Sequence, residues 1–302
     1  MALEKVVYGG WPTCYRLSNG RIELIVTGDV GPRVIRFGFV NGENLFYEDP
    51  AARGKAGGDD WRLYGGHRLW HAPEHPVRTY YPDNGPISVT ETTGGAHISQ
   101  PTEPTTGIRK QISLTMDSAS AHVRLTHKLT NEGPWPVTLA IWGLSVMAGG
   151  GTAIIPLPPR GEHPRDLLPT TQLAIWPYTN MADTRWTWGE HHILLRQRQA
   201  APQKIGALVS DGWVAYARKS DLFVKRFTPL AGAEYPDLGS NVEVFTNQDM
   251  LEVESLSPIR ELAPGASVEH IEDWYLFDGA SAPENDADVE SRILPLVAKT
   301  GG

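Results

Sequence analysis

Short runs of alternating apolar and polar residues, separated by turn residues, recur along almost the whole chain. Residues 21–27, 110–116 and 122–129 alternate in this way. An extended strand places successive side chains on opposite faces, so period-two alternation predicts strands and not helices. A helical pattern is present only in residues 286–298, behind an acidic turn. The sequence therefore predicts an all-β protein with one short C-terminal helix.

The positions of the turn residues indicate how the chain is organised. The 31 glycines and 24 prolines are spread along the sequence, so they mark many turns and do not form an interdomain linker. Residues 49–86, 150–190 and 228–241 are predicted to be long loops, where β proteins usually build their sites. We expect one domain over residues 1–280 and a tail with a short helix over residues 281–302.

Composition narrows the classes of partner. A net charge of −8 and a pI near 5.7 disfavour nucleic acid, which requires a basic face. The single cysteine, Cys14, excludes an internal disulfide and fits a reducing compartment. We find no apolar run of 18 residues and no apolar leader, so we expect no membrane association and a cytoplasmic location. The 10 tryptophans, against 7 phenylalanines, suit either sugar stacking or an ordinary core.

Residues 64–74, YGGHRLWHAPE, carry more reactive side chains than any other stretch. The Gly-Gly pair near the start of this stretch lets the backbone bend, and the proline near its end prevents a helix from continuing. The stretch is therefore predicted to be a short extended piece that enters a loop. On such a piece His67 and His71 point one way, whereas Arg68 and Trp70 point the other. The stretch thus combines acid–base groups, including Glu74, with an indole ring and the N–H donors of a guanidinium. This combination favours a polyhydroxylated ligand such as a sugar.

A second candidate region is the predicted strand at residues 250–256. Period two places Glu252 and Glu254 on one face, which is either a solvated edge or a ligand-facing surface that supplies a general base. A Pro-Gly turn at residues 264–265 leads into a strand that ends EDWYLF at residues 272–277. This pattern resembles the galactose-mutarotase-like superfamily, the aldose 1-epimerases and their relatives, in which a similar turn follows the strand of the catalytic glutamate.

Other segments strengthen the resemblance. Residues 15–26 and the Gly-Pro turn at residues 31–34 look like that superfamily's first hairpin. Residues 65–74, 142–148 and 176–178 look like motifs of an uncharacterised bacterial branch within it. The coarse resemblance covers roughly residues 5–278. It implies a large antiparallel β-sandwich whose concave face holds a sugar site, without a cofactor.

The resemblance also implies roles for individual residues. Glu254 falls where the superfamily has its general base, whereas Trp142 falls where a catalytic histidine is expected. An indole cannot donate a proton to a sugar ring oxygen, so His71 or His67 is expected to be the acid. An imidazole with an ordinary pKa of about 6.5 suits that role near neutral pH. Arg68 would bind hydroxyls or an acidic substituent, and Trp70 or Trp142 would be the stacking plate.

Further polar and aromatic residues are secondary candidates for ligand binding. Four of them are expected to lie in one loop: Trp176, Tyr178, Asp183 and Arg185. Either this loop forms a wall over the cleft, or its aromatic side chains pack only against the loop itself. Asp237 would orient a hydroxyl or cap a turn. Lys225, on an aromatic strand face, is a site residue or a chain that extends its charge to solvent.

Metal binding is ranked below sugar binding. His67, His71 and His75 recur every fourth residue, which on a helix would make a metal-binding face. The prolines exclude that helix, and no glutamate follows the first histidine as in zinc proteases. We therefore predict no metal and no cofactor.

The leading hypothesis is a carbohydrate-binding protein with aldose 1-epimerase-type activity on a hexose or modified sugar. A non-catalytic sugar-binding protein is the second hypothesis, supported by Trp142 at the histidine position. A polysaccharide lyase or hydrolase is the third, from fold analogy alone. The predicted partner is a small molecule or an oligosaccharide, and the sequence leaves the oligomeric state open.

Overall fold

Two large antiparallel sheets, called sheet A and sheet B, contain nearly all the regular structure. The structure is a computed structural model that describes residues 1–301. Its strands are β1 Glu4–Tyr8, β2 Trp11–Ser18, β3 Ile22–Thr27, β4 Arg33–Phe39, β5 Gly66–Ala72, β6 Ser88–Thr92, β7 Gly95–Ser99, β8 Ile108–Met116, β9 His122–Asn131, β10 Val137–Ala148, β11 Thr152–Pro156, β12 Leu173–Ile175, β13 Trp186–Trp188, β14 His192–Arg196, β15 Gln203–Ala207, β16 Trp213–Arg218, β17 Asp221–Arg226, β18 Val242–Thr246, β19 Met250–Leu256, β20 Arg260–Leu262 and β21 Ser267–Phe277.

The strand order shows how distant parts of the sequence become neighbours. Sheet A has the order β1-β2-β3-β4-β5-β10-β19-β18-β15-β12, and β20 pairs with β10. Sheet B has the order β13-β14-β11-β16-β17-β21-β9-β8-β7-β6. The prediction of a large antiparallel β-sandwich is confirmed.

The sheets pack face to face through the apolar side of each strand. Sheet A contributes Phe37 and Val253 to this interior, and sheet B contributes Phe223 and Trp274, all fully buried. The Phe37 ring centroid lies 5.5 Å from that of Trp274 and 6.1 Å from that of Phe223. Burial of each such side chain stabilises the fold by about 1.5–3 kcal/mol. Contact between the sheets is therefore the main source of stability.

Strand β5 begins at Gly66, directly after Gly65, and any other residue at either position would be strained. Gly65 and Gly66 have φ angles of 96° and 71°, a region that side chains with a Cβ rarely adopt. A Cβ on Gly65 would lie 1.9 Å from the Tyr47 carbonyl oxygen, and one on Gly66 would lie 2.4 Å from that of Val34. The Gly-Gly pair thus lets the chain enter the sheet close beside its neighbours.

Two of the predicted loops contain strands. β5 lies within residues 49–86 and is a central strand between β4 and β10, not a short piece entering a loop. Residues 150–190 contain β11, β12 and β13. Residues 228–241 hold one turn, Pro236–Gly239, with left-handed φ angles at Asp237 and Leu238. β5, GHRLWHA, is buried at every position although it carries polar residues on both faces. β11, TAIIP, is a short continuous apolar run, which shows no alternation because both of its faces are covered.

The C-terminal helical segment comprises Asp286–Asp288, Val289–Ile293 and Leu294–Val297. Its apolar residues Val289, Ile293 and Val297 are buried against the outer face of sheet B, next to Trp213 and Val224. The helix predicted at residues 286–298 is therefore present and packed. Within residues 1–301, no helix combines the length and apolar character that crossing a membrane requires.

Candidate functional site

A cavity of about 290 Å³ lies on the face of sheet A that points away from sheet B. Its floor is formed by β5, β10, β19, β18 and β15, which are neighbours in that order. The lining residues are Trp61, Leu63, Arg68, Trp70, Glu74, Tyr80, Trp142, Leu144, Tyr178, Lys204, Phe245, Asn247, Met250 and Glu252. Aromatic walls with a few polar groups are typical of a site for one small ligand.

The register of the strands brings residues from distant parts of the chain to this face. Leu144 on β10 lies opposite both Arg68 on β5 and Glu254 on β19. Glu254 in turn lies opposite Glu243 on β18. Trp142, two residues before Leu144, shares their face because alternate residues of a strand point the same way. We call Arg68, Lys204, Glu243, Glu252 and Glu254 the cavity cluster.

Arg68 is held by one carboxylate and two indoles. Its Nη2 donates to Glu252 Oε1 at 2.9 Å. Its guanidinium carbon lies 4.3 Å from the ring centroid of Trp70 and 5.7 Å from that of Trp61. Within residues 1–301, its Nε and Nη1 form no hydrogen bond. Arg68 is thus fixed in orientation, although part of its donor capacity is unused.

Lys204 is a buried cation at the opposite side of the cavity floor. Its Nζ lies 2.6 Å from Glu243 Oε2 and 3.6 Å from Glu254 Oε2. The same atom lies 4.7 Å from the ring centroid of Trp142 and 4.6 Å from that of Trp176. Burial acts to lower the pKa of Lys204, but Glu243 and Glu254 outweigh it and raise the pKa above its ordinary value. Lys204 therefore stays protonated.

The carboxylates of the cavity cluster outnumber its cations. Burial raises the pKa of Glu252 to about 7, although Arg68 opposes the shift. Burial also raises the pKa of Glu243 well above its ordinary value, against the effect of Lys204. A carboxyl group whose pKa lies near 7 can exchange protons at neutral pH, as a general acid or base must.

Tyr80 and Glu74 form one rim of the cavity, where the Tyr80 hydroxyl donates to Glu74 Oε1. The Tyr80 ring centroid lies 5.2 Å from that of Trp61 and 5.0 Å from that of Trp70. Tyr178 lines another part of the wall, and burial raises its pKa to about 12. The rim thus offers a ligand neutral tyrosine hydroxyls and one carboxylate, next to aromatic rings.

Glu254, the predicted base, does not line the cavity. Its side chain is fully buried, and Trp142 Nε1 donates to its Oε2 at 2.7 Å. Its Oε1 is buried and makes no hydrogen bond within residues 1–301. Trp142, Lys204 and Glu254 are therefore in mutual contact, with the indole and the ammonium between Glu254 and the cavity.

The two histidines predicted as acids lie on the opposite face of sheet A. His67 and His71 alternate with Arg68 and Trp70, as expected, but their side chains are buried between the sheets. Burial lowers the pKa of His71 to about 3 and lowers that of His67 well below its ordinary value. The prediction that they face one cleft with Glu254 is wrong, because Arg68 is the β5 residue in register with Glu254.

His67 belongs to a set of buried polar residues between the sheets that we call the core network. Its members are His67, His127, His270, Glu272, Lys225, Ser145, Ser255 and Trp274. His67 Nε2 lies 2.7 Å from His127 Nε2, and Lys225 Nζ lies 3.0 Å from Glu272 Oε1. Lys225 also donates to the carbonyl oxygens of Gly143 and Val253 at 3.1 Å. Lys225, predicted to bind substrate, therefore faces away from the cavity.

A metal ion does not fit the core network well. His67, His127 and Glu272 have candidate ligand atoms within 4.8 Å of one another. These atoms already have partners in the core network, and the Lys225 ammonium lies 3.0 Å from Glu272. A divalent cation would add two positive charges beside the buried ammonium. One carboxylate would then have to compensate the cation and the ammonium together, and buried charge without compensation is costly. We interpret the core network as structural.

The remaining predicted residues lie outside the cavity. Arg185 Nη2 pairs with Asp183 Oδ2 at 2.9 Å, so these two residues bind each other. Asp237 lies in the turn Pro236–Gly239, beside Trp176 in a separate shallow surface depression. Trp176 is joined to the site through its contact with Lys204.

Several residues of the site are absent from the sequence predictions, and four of them carry the contacts described above. Trp61 and Tyr80 come from the segment predicted to be a loop, and Lys204 and Glu243 come from strands that seemed ordinary. No local pattern marks them, because their contacts depend on strand order. The one usable signal was period two at residues 252 and 254, which placed both carboxylates on one face.

No protein-family model and no curated protein matches the chain. Many solved structures do match it, and they show its fold. The protein has the galactose-mutarotase-like fold.

Three of these structures illustrate the likeness. A putative aldose 1-epimerase from Escherichia coli K12 is 13% identical with a TM-score of 0.54, over 88% of this chain and 99% of that one. A galactose mutarotase-like protein from Lactobacillus casei ATCC 334 is 8% identical with a TM-score of 0.55, over 87% and 100%. A putative mutarotase from Salmonella typhimurium is 8% identical with a TM-score of 0.56, over 91% and 94%. At such identities the likeness shows the fold alone.

Proposed function

We propose that the protein binds a sugar in the cavity of sheet A and interconverts its anomers, an aldose 1-epimerase-type reaction. One observation carries the proposal: a single cavity combines partly exposed aromatic rings, Trp61, Tyr80 and Tyr178, with a carboxyl group, Glu252, whose pKa is about 7. Indoles stack on the C–H face of a pyranose, and such a carboxyl group suits proton transfer near neutral pH. The names of the structural neighbours support a sugar ligand.

The charges favour a neutral hexose over a phosphorylated or acidic sugar. Arg68 and Lys204 are the cations of the cavity lining, and each is already paired with a carboxylate. Glu74 adds a further negative charge at the rim. An anionic substituent would therefore find both cations already paired and would be repelled by Glu74 in a site of reduced dielectric.

The test is exchange NMR on glucose, galactose, glucose 6-phosphate and glucuronic acid, with and without the protein. We expect faster anomer exchange for at least one neutral hexose and none for the two acidic sugars. Tryptophan fluorescence would measure binding in parallel, with Trp135→Ala as the matched control because Trp135 is exposed and outside the cavity. A protein that neither binds nor isomerises any of these sugars would contradict the proposal.

A non-catalytic sugar-binding protein is the second candidate. The observation in its favour is that Trp142 replaces the expected histidine, while His67 and His71 face the interior. Sugar binding without acceleration of anomer exchange would support this candidate over the enzyme.

A further inference from the structure

We infer that Glu252 is the general base and Lys204 the general acid of the cavity. This inference rests on the proposed function and changes both catalytic groups that the sequence resemblance implied. Glu254 then has a different role, which is to position Lys204.

The first argument is access to the ligand. Glu252 and Lys204 both line the cavity, whereas Glu254 does not. Glu254 is fully buried, and its Oε2 is bonded to the Trp142 indole. A general base must reach the proton that it abstracts, directly or through one water. Glu252 meets that condition without rearrangement, and Glu254 does not.

The second argument is the spacing across the sheet. Lys204 on β15 lies opposite Phe245 on β18, and Phe245 lies opposite Glu252 on β19. The two groups thus flank Phe245 in one row. Adjacent strands are about 4.8 Å apart, so the backbones of Lys204 and Glu252 are separated by about 10 Å. The Lys204 side chain extends from this row toward Glu254 and Trp142, so a pyranose in the cavity would meet the carboxyl group and the ammonium from different directions, as ring opening requires.

The third argument is the state of each group. Glu243 and Glu254 keep Lys204 protonated, so it holds a proton that the alkoxide developing at the ring oxygen can take. Lys204 also stacks on Trp142, which lines the same cavity. Glu252 is ionised in a substantial fraction of molecules at neutral pH, because its pKa is about 7.

The proton transfers balance without a cofactor. The Glu252 carboxylate takes the proton of the anomeric hydroxyl while the bond between C1 and the ring oxygen breaks. The electron pair of that bond goes to the ring oxygen, which takes a proton from the Lys204 ammonium. After rotation about the C1–C2 bond, ring closure returns the proton of the ring oxygen to Lys204 and the proton of Glu252 to the anomeric oxygen. Each group ends as it began.

The experiment compares two glutamates of one strand. Glu252→Gln and Lys204→Met are expected to lower kcat/KM for anomer exchange at least about 100-fold, the usual contribution of a general acid or base. Their sugar affinities, measured by fluorescence, should change only a few-fold. Glu254→Gln keeps the acceptor for the Trp142 indole and should lower kcat/KM less than about 10-fold. Glu252→Asp should recover part of the rate and guards against a folding defect in Glu252→Gln.

A pH profile separates a catalytic role from a structural one. The wild-type rate should rise with pH, with a midpoint near 7 set by Glu252, and Glu252→Gln should lose that midpoint. An inactive Glu254→Gln beside an active Glu252→Gln would overturn the assignment. Sugar binding without any catalysis by the wild type would overturn it too, while leaving the binding part of the proposed function intact. Absence of binding would contradict the proposed function itself.

Discussion

The core network and the cavity cluster are two buried sets of charged residues on opposite faces of the same sheet. In the core network, Lys225 and Glu272 form a pair whose polar atoms are all hydrogen-bonded. In the cavity cluster, Arg68 Nε and Nη1 and Glu254 Oε1 have no partner within residues 1–301. Buried polar groups whose hydrogen bonds are all formed make a fold more rigid. Buried polar groups without a partner cost free energy unless a ligand or a rearrangement supplies the hydrogen bond. Completeness of hydrogen bonding, more than residue type, distinguishes a structural cluster from a candidate site.

The largest expected effect is the loss of Lys225. Lys225→Met leaves the Glu272 carboxylate buried without its cation, which should lower the free energy of unfolding by about 3–5 kcal/mol. Lys204→Met is the matched change in the cavity cluster and should cost less than about 2 kcal/mol, because the raised pKa of Glu243 lets that carboxyl group become neutral. Urea denaturation measures both. If both variants lost the same free energy of unfolding, the core network and the cavity cluster would not differ as described.

The two faces should also respond oppositely to acid. Burial lowers the pKa values of His71 and His270 to about 3, so their contribution to stability is lost as pH falls below about 6.5. Between pH 7 and pH 5 each should cost about 2 kcal/mol. Glu252, with its pKa raised to about 7, contributes stability that increases over the same interval, also by about 2 kcal/mol. Glu252→Gln should therefore lose more stability between pH 7 and pH 5 than the wild type does. An unchanged pH dependence would contradict the assignment.

The smallest expected effect concerns the indole that supports Arg68. Trp70→Ala removes the 4.3 Å contact that holds the Arg68 guanidinium in the cavity wall, so sugar affinity should fall about 10-fold, or about 1.4 kcal/mol. The measurement is a titration followed by fluorescence or calorimetry. An affinity as high as that of Trp135→Ala would show that sugar binding does not depend on this contact.

The sequence was sufficient for the fold class and for part of the cavity. Alternation at residues 21–27 and 122–129 predicted strands that the structure contains. The same rule separated Arg68 and Trp70 from His67 and His71 correctly. Alternation cannot say which of two faces is covered, however, when both carry polar and aromatic residues. The imidazoles were therefore placed on the ligand side although sheet B covers them.

The partners of each residue could not be predicted, because they depend on strand order. His67 meets His127 and Glu272 only since β5 packs across from β9 and β21. Lys204 meets Glu243 because β15 pairs with β18, which no local pattern in either strand indicates. The resemblance placed the base at Glu254 by position in the sequence, whereas burial beneath Trp142 depends on how one indole packs.

One contact joins the interior to the ligand-facing surface. The Lys225 ammonium is bonded to the carbonyl oxygens of Gly143 and Val253, and Val253 is the residue between Glu252 and Glu254. Substitutions deep in the sandwich can thus tilt β10 and β19, two of the five strands that form the cavity floor. Directed evolution toward a new sugar should accordingly select changes around Lys225 as well as changes along the walls, even though no atom of Lys225 would ever touch the sugar.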